Sequence, residues 1–146
     1  MLNIFSIENP ENSIEWMIFL ANKYSSMFWE GTKLTLFIAV LGTLLGLVMG
    51  YVIGIIQDAK ISQGDHAVRK VLLRLIKFIA SVYVEIFRDT PMIVQAMIIY
   101  FGIRQANIEI TPVSAGVLVT VLNTGAYMAE TVRAGIGSID LGQREG

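Results

Sequence analysis

Two places in this sequence set charge and hydrogen-bonding groups into otherwise apolar surroundings. The first is Glu85-Ile86-Phe87-Arg88-Asp89-Thr90-Pro91, inside the apolar run 78–103. Pro91 cannot donate to the carbonyl of Phe87 and disfavours helix at Thr90, so a helix must stop and restart here. Thr90 as N-cap with Pro91 at the first helical position is the expected restart. Arg88, Met92, Gln95 and Ile99 share a face of the restarted stretch, which turns Gln95 toward the protein interior. An ionised group at that depth is functional by default, yet Glu85 or Asp89 could simply neutralise Arg88. The second place follows the apolar run 112–129. Thr120, Asn123, Tyr127 and Glu130 lie at offsets of three, seven and ten, on one side of a helix. In lipid that side cannot face outward, so it lines a cavity or bonds to a neighbouring helix. Glu130 and Arg133, three apart, can pair.

Other chemistries lack their residues. There is no cysteine, so neither a thiol nucleophile nor a thiolate metal site is available. The one histidine, His66, sits in a polar loop without a ligand cluster, and no metal site is expected. No G-x-x-x-x-G-K-[ST] loop occurs, so ATP chemistry must belong to another chain. No cofactor is called for, and the chain reads as no enzyme. A nucleic-acid face would need aromatic platforms among the basic residues of 57–77, and these are absent.

The elements that must position these groups are membrane helices. The 146 residues are 54% hydrophobic and only 16% charged, against about 25% in ordinary globular chains. Residues 34–56 carry no charge and are long enough to cross a bilayer as a helix. Gly42, Gly46, Gly50 and Gly54 recur every four residues, a smooth stripe along which another helix can approach. The expected spans are 34–56, 78–103 (broken near 90) and 112–129, making an all-α integral membrane protein. Residues 1–33 form a polar, aromatic-rich segment at the membrane surface, with Trp16, Tyr24, Phe28 and Trp29 suited to the headgroup level. The loop 57–77 holds five Lys and Arg, whereas the turn 104–111 holds only Arg104. That asymmetry puts 57–77 inside, the amino terminus outside, and 130–146 inside. Leu72, Leu73, Leu75 and Ile76 interleave with the basic residues, so the end of the loop should ride on the membrane surface.

At the end of the chain Gly135 and Gly137 are expected to break the helix, and Asp140 to N-cap a new one. Gln143 three residues later completes a capping-box pattern. The run AYMAETVRAGIGSIDLGQREG, 126–146, resembles the cytoplasmic EAA coupling segment of ABC-transporter permeases of the polar amino-acid uptake family. EIFRDTPMIVQAMIIYFGI, 85–103, is similar to that family's E-x-x-R-G-T-P-x-x-V-Q block. EGTKLTLFIAVLGTLLGLVMG, 30–50, resembles its first membrane helix. Asp89 stands where the family usually has Gly, and Gly146 where the first Ala of the E-A-A triplet belongs. The resemblance thus stops just after the coupling motif begins, as in a truncated permease.

What the resemblance implies is the amino-terminal part of a MetI-like permease fold in the cell membrane. The subunit would line part of an amino-acid pathway. Its coupling segment 130–146, with Glu130, Arg133, Gly135, Gly142, Gln143, Arg144 and Glu145, would dock a separate ATPase subunit. An extracytoplasmic amino-acid-binding protein and a second permease subunit, in a homo- or heterodimer, are the other implied partners, with the lipid bilayer around them. Substrate contact would fall to Gln95, Asn123 and Tyr127, whose amides and hydroxyl can meet a zwitterion. The rival reading is a truncated permease that assembles without transporting.

Overall fold

Helix formers and apolar residues run almost without interruption between a few polar punctuations, and the structure follows them. The computed structural model describes residues 12–62, 64 and 66–138. Among the described residues the elements are five helices, α1 Ser13–Lys23, α2 Ser25–Asp58, α3 Ala67–Asp89, α4 Met92–Gln105 and α5 Pro112–Gly137. Two of them, α2 and α5, are long and apolar enough to cross a membrane; α4 is apolar and shorter. The chain divides into two compact units, Met1–Phe37 and Ile38–Gly146.

In the first unit, Glu15 in the first turn of α1 and Lys23 in the last complement the helix dipole. Lys23 lies over the rings of Phe19, at 5.2 Å, and Tyr24, at 5.7 Å. No residue of α1 is buried. Helix α2 begins at Ser25 rather than at Leu34, so Trp29 and Glu30 belong to its first turns. The Glu30–Lys33 ion pair at 2.9 Å and the Thr32 hydroxyl donating to the Phe28 carbonyl are local bonds that carry the helix through this polar stretch. Its 34 residues exceed the roughly 20 that a helix needs to cross the ~30 Å hydrocarbon layer.

The second unit is organised around α5. Pro112 sits at the start of that helix, and the Thr111 hydroxyl accepts from the Ser114 amide at 3.1 Å, an N-cap that closes the first turn. Its buried residues are Ala115, Val119, Gly125, Ala126 and Ala129, all small or β-branched. Small side chains let backbones come close where apolar bulk gains nothing over lipid. The buried residues of α2 are Gly42, Gly46, Gly50 and Gly54, and they lie against α5. A Cβ built on Gly50 would fall 2.5 Å from the Gly125 carbonyl oxygen, so that crossing admits glycine alone without a shift of the helices. Helices α3 and α4 pack on α5 as well.

Three local expectations need correction. Pro91, not Thr90, is the N-cap of α4: both residues are extended, and the Pro91 carbonyl accepts from the amides of Val94 and Gln95 at 2.9 and 3.2 Å. The Thr90 hydroxyl turns back instead, donating to the Ile86 carbonyl at 2.6 Å. Helix α3 starts at Ala67, so the basic stretch before Phe78 is helical and continuous with the apolar one. Helix α5 runs through Gly135 to Gly137 and is capped at Ser138. A glycine costs a helix only about 1 kcal/mol, too little to end it, and the Ser138 hydroxyl satisfies the Gly135 carbonyl at 2.8 Å. The helix expected from Asp140 lies outside the described residues.

Candidate functional site

A helix broken by proline leaves carbonyls without their usual donors, and at membrane depth water cannot supply them. Here the missing bond is the one from residue 91 to the Phe87 carbonyl. Two side-chain amides take its place. Nε2 of Gln95 donates to the Phe87 carbonyl at 2.9 Å, and Nδ2 of Asn123 donates to the same oxygen at 3.2 Å. Gln95 also reaches the Thr90 carbonyl and hydroxyl, at 2.9 and 2.8 Å, and its Oε1 accepts from Asn123 at 3.3 Å. Gln95 is only 6% exposed. One helix turn further along α5, the Tyr127 hydroxyl donates to the Arg88 carbonyl at 3.4 Å. Tyr83, which the sequence alone did not single out, joins α3 to α5 through its hydroxyl on the Leu122 carbonyl at 2.6 Å. Its signal was its place one turn before Phe87, on the same face of α3.

Gln95, Asn123 and Tyr127 thus meet at one place and direct their donors at backbone carbonyls of the break. Tyr127 remains half-exposed beside them.

The charged groups form an adjoining cluster. Glu130 holds Arg133 through both carboxylate oxygens, at 3.0 and 2.5 Å. Its Oε2 also lies 3.8 Å from the Arg88 guanidinium, which stands over the Tyr127 ring at 5.8 Å. Among the described residues, then, the partner of Arg88 is Glu130 on α5, rather than Glu85 or Asp89 on its own helix. Asp89, next in sequence, leaves the helix about 100° away from Arg88 and cannot face it. Glu85 instead lines, with Gln57, Lys77, Arg88, Glu130 and Arg133, a cleft of about 450 Å³ between α2, α3 and α5. Oε1 of Gln57 is buried there without a donor from the described residues, so the cleft asks for water or a ligand N–H. Gly135 faces open space, and Gly142, Gln143, Arg144 and Glu145 lie outside the described residues.

The proline break is thus closed by amides from α4 and α5, beside a partly exposed charge cluster. The comparisons agree with a transport protein. The chain is 38% identical over 117 residues to the arginine transport system permease protein ArtQ of Bacillus subtilis, a match covering 80% of this chain and 48% of ArtQ. It is 37% identical over 118 residues to the glutamine transport system permease protein GlnP of Escherichia coli, again 80% and 48%. It is a homologue of amino-acid ABC-transporter permeases. The crystal structure of an amino acid ABC transporter with histidines superposes with a TM-score of 0.72 at 32% identity, over 94% of this chain and 56% of that one. No family model matches the chain. The chain spans about half the length of the curated relatives it matches. As in those permeases, the apolar helices place it in the cell membrane.

Proposed function

We propose that this chain forms the membrane-spanning part of an ATP-driven amino-acid importer. The observation that carries the reading is the likeness to the glutamine and arginine permeases, which runs through the proline break and both flanking helices. ATP is hydrolysed on a separate subunit, which docks on the coupling segment 130–146. An extracytoplasmic binding protein delivers the amino acid, and a second permease subunit completes the pathway. Closure of the ATPases moves α5 and, through Glu130 and the amides of Asn123 and Gln95, the broken span α3–α4. The states exchanged are two packings of the same helices, biased by nucleotide. The exposed side of Tyr127 and the cleft beside Arg88 supply the polar wall that a zwitterion requires. Deleting the gene from its own cells should abolish ATP-dependent accumulation of radiolabelled glutamine, arginine or histidine, and restoring it should return uptake. Unchanged accumulation of all three would overturn the reading.

With three crossings, α2, the pair α3–α4, and α5, the amino terminus lies outside, a reading supported by five Lys and Arg in 57–77 against Arg104 alone in the outer turn. Because the chain has no cysteine, single cysteines at Gly64 and Ala106, both exposed, test this cleanly. In intact cells an impermeant maleimide should modify Ala106→Cys and spare Gly64→Cys. The turn at 106–108 leaves Asn107 with φ 61°, a left-handed conformation that asparagine tolerates, which makes Ala106 the safer site for substitution. Labelling of both positions from outside would refute the topology.

A further inference from the structure

Apart from Lys77, which also lines the cleft beside Arg88, the first three turns of α3 carry a pattern that the transport reading does not use. Val68, Val71, Leu72 and Leu75 are 79, 65, 54 and 54% exposed, and their spacing puts them on one face of the helix. Lys70, Arg74 and Lys77 occupy the opposite face, with Arg69 at its border. From Ala67 to Val84 there is no acidic residue, so the segment is uniformly cationic.

The apolar stripe does not stop with the basic residues. Ile79, Val82 and Ile86 continue it to the last turns of α3, all of them exposed. A stripe running the whole helix calls for acyl chains or another membrane helix rather than a docked soluble protein, and the cations on its first turns favour anionic lipid. Helical side chains tilt toward the helix N-terminus, so the long cationic groups of the first turns reach back toward the surface from which α3 starts. Cations with an apolar face below them fit the boundary between phosphate headgroups and hydrocarbon.

We infer that Ala67–Lys77 is a binding surface for anionic phospholipid, with Arg69, Lys70, Arg74 and Lys77 gathering headgroup phosphates of the cytoplasmic leaflet. The inference rests on the topology proposed above. Each cation near an anionic leaflet is held by about 1 kcal/mol, and the attraction falls off within a Debye length, so the contact depends on lipid charge and on salt.

The test uses the whole chain in nanodiscs with one nitroxide, at Val71→Cys or, as a reporter of membrane insertion, at Val48→Cys on the exposed side of α2. Accessibility to a neutral nickel chelate is measured in phosphatidylcholine alone and with about one third phosphatidylglycerol. With the anionic lipid the Val71 label should be shielded. In neutral lipid, or in the variant carrying R69Q, K70Q, R74Q and K77Q, its chelate accessibility should rise by roughly threefold or more. The Val48 label should stay shielded throughout. Equal Val71 accessibility in both lipids would overturn the proposal, and that result needs no substitution of the basic residues. Shielding of Val71 only on adding the ATPase subunit would overturn it in favour of a protein partner. A Val48 label open to the chelate in every lipid would remove the membrane span itself, and the surface with it.

Discussion

Gln95→Leu is expected to destabilise the second unit by about 2 kcal/mol and to abolish most uptake by the assembled transporter. The change removes the shorter of two donors to the part-buried Phe87 carbonyl, on which Asn123 remains, and the donors to both oxygens of Thr90, an exposed residue. A buried acceptor left without a donor costs about 1–3 kcal/mol. Bonds between membrane helices average nearer 0.6 kcal/mol, because the separated helices find other partners. The Phe87 carbonyl is a special case, since Pro91 deprives it of a donor in the separated helix too. Asn123→Leu should cost less, because Gln95 stays on the shared oxygen at the shorter distance, 2.9 against 3.2 Å. The check is a double-mutant cycle with Pro91→Ala, read by thermal unfolding in detergent. Alanine restores an N–H at residue 91, so the penalty for Gln95→Leu should shrink by about 1 kcal/mol or more in that background. Equal penalties in both backgrounds would show that Gln95 does not stand in for the missing backbone bond.

The site of the break was legible because proline imposes it through backbone chemistry alone: Phe87 loses its donor whatever surrounds it. The residue that caps the restart was not. A threonine hydroxyl can serve the helix before it or the one after it, and Thr90 serves Ile86. The faces of Gln95 and Asn123 could likewise be read from helical periodicity, but not that both amides converge on one carbonyl. That depends on the register of α5 against α3, which contacts far apart in sequence set, such as the Tyr83 hydroxyl on the Leu122 carbonyl. The glycine period on α2 is visible in a single strand of text, whereas its partners, from Thr120 to Val132, are not. Gly135 misled for an energetic reason: about 1 kcal/mol is a strong signal in a loop and a weak one in a 26-residue helix capped beyond it. Charge pairing was the least legible feature. Arg88 had two acidic neighbours in its own heptad, and the structure gives it Glu130, forty-two residues away on α5.

Glu130→Gln is expected to leave stability almost unchanged and to remove most ATP-driven uptake. The carboxylate and its two partners are partly exposed, with side-chain exposures of 28% for Glu130, 39% for Arg88 and 52% for Arg133. Pairs that open to water contribute about 0–1 kcal/mol, and a neighbouring pair within one helix about 0.3–0.5 kcal/mol. Unfolding temperature should therefore barely move. Transport is another matter, because Glu130 is where the last turns of α5 touch the end of α3, two residues before the break. A force arriving from 130–146 reaches the broken span at the Arg88–Glu130 contact or through the amides above it. Exchanging the charges, Glu130→Arg with Arg133→Glu, separates the two pairs that Glu130 makes. The exchange rebuilds the bond within α5 but sets a cation against Arg88. If the contact between helices transmits the movement, the exchanged protein should remain as inactive as Glu130→Gln, and adding Arg88→Glu should recover a substantial part of the uptake. Full activity in the exchanged protein without that third change would assign Glu130 to α5 alone and leave the amides of Gln95 and Asn123 as the link between the helices.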